Sequence, residues 1–196
     1  MIGMPPDRNR ARTAALVALP GLGLAAVGVL VHPGFLDATT ARAWWTVHVW
    51  LVPVFPLISL AVWWLLRGAP GPVAAAARVA AYGFAVLYTA LDVLSGIGAG
   101  LVVEAGAGDL AGRLFAVGDA LGHTGVWLLL ASAVLTGLAL LPRDGAPVLV
   151  GAAVLAAACV PFRTAHIFHP TGVWAMVGVA AGCALIAAAR REPVAA

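Results

Sequence analysis

Leu114-Phe-Ala-Val-Gly-Asp-Ala-Leu-Gly-His-Thr-Gly-Val-Trp-Leu-Leu-Leu-Ala-Ser-Ala-Val-Leu-Thr-Gly-Leu-Ala-Leu-Leu141 is the stretch that decides the fold. It runs for 28 residues with only Asp119 and His123 able to titrate. About 20 apolar residues cross a hydrocarbon core. The stretch therefore reads as a membrane span with length to spare. Either the helix tilts, or Arg113 to Ala120 lies partly in the interface. Asp119 and His123 are four residues apart, which puts them on one helical face. Titratable groups are rare inside spans and usually functional when present.

The rest of the chain has the same character. Of 196 residues, 63% are hydrophobic and 10% charged, with a mean hydropathy of +1.02. Ordinary globular chains are about half apolar and a quarter charged. The composition implies an all-α, polytopic transmembrane bundle in contact with the lipid bilayer. All eleven basic residues are Arg, and they are scattered at helix ends rather than gathered into a nucleic-acid-binding patch. The Ala, Gly, Val, Leu and Arg bias suggests a GC-rich bacterial genome. Cys159 and Cys183 fall at different depths and read as buried packing residues rather than a disulfide.

Six spans follow in order. Residues 1–12 form a short basic tail, expected to be cytoplasmic and poorly ordered, and residues 13–191 form the bundle. The first apolar run, Thr13 to Val31, ends at His32-Pro33-Gly34, because a residue before proline favours extended or turn conformations. It is long enough to be an uncleaved span. Asp37 with Thr39 and Thr40 offers a cap. The second span, from about Trp44 to Leu66, carries tryptophans at both ends as interfacial belts, and Pro53 and Pro56 should bend it. The third, from about Val79 to Val103, contains Tyr88, Asp92 and Ser95, then Gly96, Gly98 and Gly100. Such small residues allow close helix contact and a helix–helix oligomer. The fourth is Leu114 to Leu141 and the fifth starts at Val148 and runs into Pro161. The sixth is Thr171 to Ala189, closed by Arg190-Arg191 and a cytoplasmic tail, 192–196.

Charge sets the expected orientation. Arg8, Arg10, Arg12, Arg67, Arg78, Arg143, Arg190 and Arg191 fall on one side, and Arg42, Arg113 and Arg163 on the other. By the positive-inside rule both termini are cytoplasmic, in an inner membrane. All five histidines then fall toward the outer face. His32 ends the first span, His48 lies one turn into the second, His123 is in the outer part of the fourth, and His166 and His169 share the last outer loop.

Five imidazoles at neighbouring helix ends can converge when the bundle packs. Neutral imidazole is the commonest metal ligand and an axial haem ligand. The first choices are His48, Asp119 and His123, with His166 and His169 next. His48 facing His123 would suit haem b, and Asp119 would ligate a transition metal or orient a ring. The competing reading is a set of wet interfacial rings. Asp92, near mid-span, is a separate buried acid. It reads as a proton relay, an ion ligand or a hydrogen-bonded helix glue. Nucleophilic and nucleotide-binding motifs are missing: Ser95 has no nearby His, and no Walker or dinucleotide fingerprint occurs. The sequence thus points to a small membrane protein with an outward-facing His/Asp site for electron transfer or metal handling. The alternatives are a proton-coupled transporter using Asp92 and a non-catalytic accessory subunit.

Overall fold

The computed structural model describes residues 6–191. The start of the N-terminal tail and the tail 192–196 lie outside that range. Among the described residues the chain is helical and has no strand. The elements are α1 (Pro6–Leu30), α2 (Ala41–Leu51), α3 (Pro56–Leu65), α4 (Pro72–Leu91), a π-helical segment (Asp92–Gly98), α5 (Ala99–Glu104), a 3₁₀ turn (Gly108–Leu110), α6 (Ala111–Asp144), α7 (Pro147–Ala165) and α8 (Thr171–Ala189). They make six segments long and apolar enough to cross a membrane.

Proline and glycine punctuate these spans as their chemistry requires. α3, α4 and α7 each start with a proline in the first turn, where the missing N–H costs nothing. α1 begins at Pro6, so residues 7–12 continue the first span's helix instead of trailing from it. The second span breaks between α2 and α3 at the Pro53 and Pro56 bend. α7 runs through Pro161 to Ala165, longer than the apolar run alone suggests. Asp37 Oδ1 accepts the Thr39 and Thr40 N–H groups at 2.8 and 3.0 Å, bracing the turn into α2.

The helices pack mainly as α4 on α6, α7 on α8, α1 on α8 and α6 on α7. Large apolar side chains such as Leu19, Leu60 and Val79 face outward, as lipid contact requires. Two buried serines staple helices across the core. Ser59 donates to the Ala81 carbonyl at 2.6 Å and Ser132 to the Ala77 carbonyl at 2.8 Å. Cys159 and Cys183 are both buried and free.

The π segment has no signature in the hydrophobic period, but it shapes the bundle. π turns insert a residue and are frequent at functional sites. Here the segment places Gly96 against the His48 ring, and α5 directly after it sets Gly100 against Trp45. Trp44 Nε1 donates to the Ser95 carbonyl at 3.1 Å. These contacts fix α2 against the third span at one end of the molecule.

Candidate functional site: a three-histidine cluster

At that end, His32, His48 and His166 meet. One ring nitrogen from each lies within 4.8 Å of the others. The histidines come from three separate places. His32 lies just past α1, His48 sits inside α2, and His166 is the residue after α7. The His48 and His166 rings are nearly parallel, with centroids 5.9 Å apart. His32 stands edge-on to both, at 5.1 and 5.7 Å.

Local structure aims each ring. His32 Nδ1 is 2.8 Å from the Pro33 carbonyl, and His48 Nδ1 is 2.7 Å from the Trp44 carbonyl one turn earlier. A carbonyl can only accept, so both Nδ1 atoms carry the proton and both Nε2 atoms hold a lone pair. His166 Nδ1 lies 2.6 Å from the Tyr88 hydroxyl. His166 itself has φ 46°, the only positive φ among the described non-glycine residues. Such a conformation costs on the order of 1–3 kcal/mol and persists where surrounding structure dictates it. Gly172 permits it, since a Cβ there would collide with the His166 and Ala165 carbonyls.

The surroundings are aromatic. Trp44 and Phe168 flank the cluster, with His32 4.8 Å from Phe168. Phe55 and Tyr88 lie beneath His166 at 5.3 and 5.7 Å. His48 is buried and the other two are half-buried. Nε2 of His32 and of His166 is nonetheless buried with no hydrogen-bond partner among the described residues. Burial holds His32 below the ordinary histidine pKa, against the opposing Pro33 hydrogen bond. Burial, and then the neighbouring His48 and His32, hold His166 well below it. His32 and His166 are therefore neutral imidazoles, gathered with His48 in one cluster.

This neutrality carries a pH prediction. Unfolding exposes His32 and His166 and returns them to a pKa of about 6.5. Below that value the unfolded chain binds more protons than the folded one, so stability falls as pH drops. Above it these two groups contribute no pH dependence. Metal-free protein should unfold at a lower temperature at pH 5.5 than at pH 7.5. An unchanged transition would argue against neutral buried rings.

The other expected site residues separate. Asp119, on α6, is exposed and helps line a cavity of about 60 Å³ that also touches His48 and His166. His123, one turn on, is half-buried and outside the cluster, and His169 is exposed. His32, one of the five outer-face histidines but not among the ligands chosen from the sequence, takes the third position. Asp92 is fully buried in the π segment, and neither of its oxygens has a hydrogen-bond partner among the described residues.

Fold and site together define a six-span helical membrane protein with three imidazoles, one buried and two half-buried, gathered at one end. Compared with known proteins, the chain matches no protein-family model, no curated protein and no solved structure.

Proposed function

We propose that the protein binds one transition-metal ion through Nε2 of His32, His48 and His166 and serves in metal handling at the membrane surface. The observation that carries this reading is the paired state of each ring. Every Nδ1 has a partner, and the Nε2 atoms of His32 and His166 are buried without one. Ligating histidines almost always use their second nitrogen in this way, which fixes tautomer and orientation. An isolated buried nitrogen lone pair is otherwise costly.

The fit is close but not closed. Metal–imidazole bonds of about 2.0–2.1 Å in a tetrahedron put the nitrogens about 3.3 Å apart. The observed separations lie within 4.8 Å, and side-chain rotation on binding would bring them to that value. Three neutral imidazoles suit Zn, Cu, Ni or Fe rather than Mg or Ca. The adjoining cavity of about 60 Å³ takes a water-sized fourth ligand. It is far below the roughly 300 Å³ at which cofactor pockets begin, so a single ion fits where a tetrapyrrole does not. Asp119 at the cavity would serve as a fourth donor or as the carboxylate that first attracts the cation. The bound ion would supply Lewis acidity or, for Cu or Fe, a redox centre. By the positive-inside rule the cluster faces outward and the arginine end faces the cytoplasm of an inner membrane.

Elemental analysis tests this. Purified protein dialysed against Zn²⁺ or Cu²⁺ should retain about one ion per chain, as a single three-ligand site requires. His32→Ala, His48→Ala and His166→Ala should each lose it, while His123→Ala and His169→Ala keep it. Retention in all three cluster variants would end the proposal.

A further inference from the structure

The opposite end of the bundle carries a second feature, built from different residues. A cavity of about 280 Å³ opens there among Arg10, Thr13, Trp64, Arg67, Arg190 and Arg191. No carboxylate lines it among the described residues. The nearest described acid, Asp144, is already engaged: Arg143 donates to both its oxygens, the Arg191 N–H reaches one at 2.9 Å, and Arg190 Nε lies 3.6 Å from the other. Arg10 Nε is buried with no partner among the described residues. Arg67 sits over Trp64, with its guanidinium carbon 3.4 Å from the ring centroid. The pocket therefore holds a surplus of fixed positive charge. Positive-inside orientation explains arginines at this end, but not their convergence on a cavity.

Trp64 is also one wall of a second hollow. This groove, about 400 Å³, is lined by Leu16, Pro20, Val54, Leu57, Leu60 and Trp64, and its walls are almost wholly apolar. The two hollows share Trp64 as a wall, and the residue spacing sets them in line along α1 and α3. Thr13, Leu16 and Pro20 share one face of α1, and Leu57, Leu60, Trp64 and Arg67 follow one another at helical intervals along α3 and just past its end. From Leu57 to Trp64 the groove climbs about 10 Å at 1.5 Å per residue. Leu16, Leu57 and Leu60 are exposed, on a surface that faces lipid. Trp64 stands where an interfacial belt residue belongs.

We infer that this paired feature is a binding site for one anionic phospholipid, its phosphate held by Arg10 and Arg67 and an acyl chain lying in the α1–α3 groove. Guanidinium forks match phosphate oxygens and lose little entropy on doing so. Basic pockets between membrane helices recognise anionic headgroups by this chemistry. The lack of a carboxylate among the described lining residues favours a headgroup with net negative charge over a zwitterionic one. An acyl chain is the ligand that the apolar groove accepts and that inorganic phosphate lacks.

Native mass spectrometry of the full chain tests the site. Protein released from micelles doped with phosphatidylglycerol should carry one lipid, and from phosphatidylcholine micelles none. Arg10→Gln with Arg67→Gln should cut retention about tenfold or more, since each arginine contributes substantially near a charged lipid. Leu60→Trp fills the groove, leaves every arginine in place, and should cut it too. Helix content by circular dichroism checks that both variants fold. Equal retention of phosphatidylcholine, or wild-type retention by either folded variant, overturns the proposal. So does displacement of the lipid by millimolar inorganic phosphate, which would mark an ion pocket with no use for the groove.

Discussion

Asp144→Ala is expected to lower the unfolding free energy by about 3 kcal/mol. The Asp144 side chain is wholly buried at the end of α6. Arg143 donates to it through Nε and Nη2, both at 3.2 Å, and the Arg191 N–H donates at 2.9 Å. Arg190 adds a charge at 3.6 Å. Arg190 also donates to the Leu65 and Arg67 carbonyls, so one carboxylate indirectly ties α6, α8 and α3 together. Removing it leaves the Arg190 side chain, only 17% exposed, beside Arg143 with no counter-charge. Unpaired buried charge of this sort costs about 3–5 kcal/mol. The low end applies because Arg143, at 35% exposure, is partly rescued by water. Equilibrium unfolding in mixed detergent micelles measures it. A loss under about 1 kcal/mol, the usual worth of an exposed pair, would show that the carboxylate is not the knot of this end.

Gly96→Ala acts at the other end, on the histidines. A Cβ at Gly96 would overlap Cγ and Cδ2 of His48 and lie 2.6 Å from its Cβ. His48 cannot retreat freely, because His32 and His166 occupy its other side. Either the π segment moves off α2 or the ring is driven into the cluster. Overpacking of this kind costs about 1–3 kcal/mol. Where that strain falls on a ligand it becomes a loss of affinity, tenfold for each 1.4 kcal/mol. Metal affinity should drop by roughly 5- to 150-fold. Gly23→Ala is the control, since a Cβ there meets nothing within 4 Å. It should leave affinity unchanged and stability equal or slightly higher. Wild-type affinity in Gly96→Ala would mean that the His48 position does not matter to binding.

The hydropathy pattern made the six spans legible, and so did the proline break in the second span. Hydrocarbon thickness and the missing proline N–H leave few alternatives. The histidine end was legible as well, because span order alone puts every His on one side. The membership of the cluster was not. His32 precedes Pro33 in a loop, and a loop has no period from which its side-chain direction can be read. His166 and His169 have a helical spacing, but α7 ends at Ala165, so one turns inward and the other outward. Asp119 and His123 share a face of α6, yet only Asp119 reaches the cavity. Their position on a 34-residue helix depends on rotation about its axis, which that helix's weak amphipathicity does not specify. The π segment was hidden for a related reason. Its glycines signalled close contact, and Gly100 just beyond it does meet the α2 backbone, but the partner of Gly96 proved to be a histidine ring.

X-ray absorption at the metal edge of the Zn²⁺-loaded protein tests the central claim most directly. Three imidazole nitrogens at about 2.0–2.1 Å, with one oxygen donor completing the shell, is the expected result. In His166→Ala the saturable site should disappear. A shell with fewer than two imidazoles, or the same spectrum from His166→Ala as from wild type, would contradict a metal centre at His32, His48 and His166.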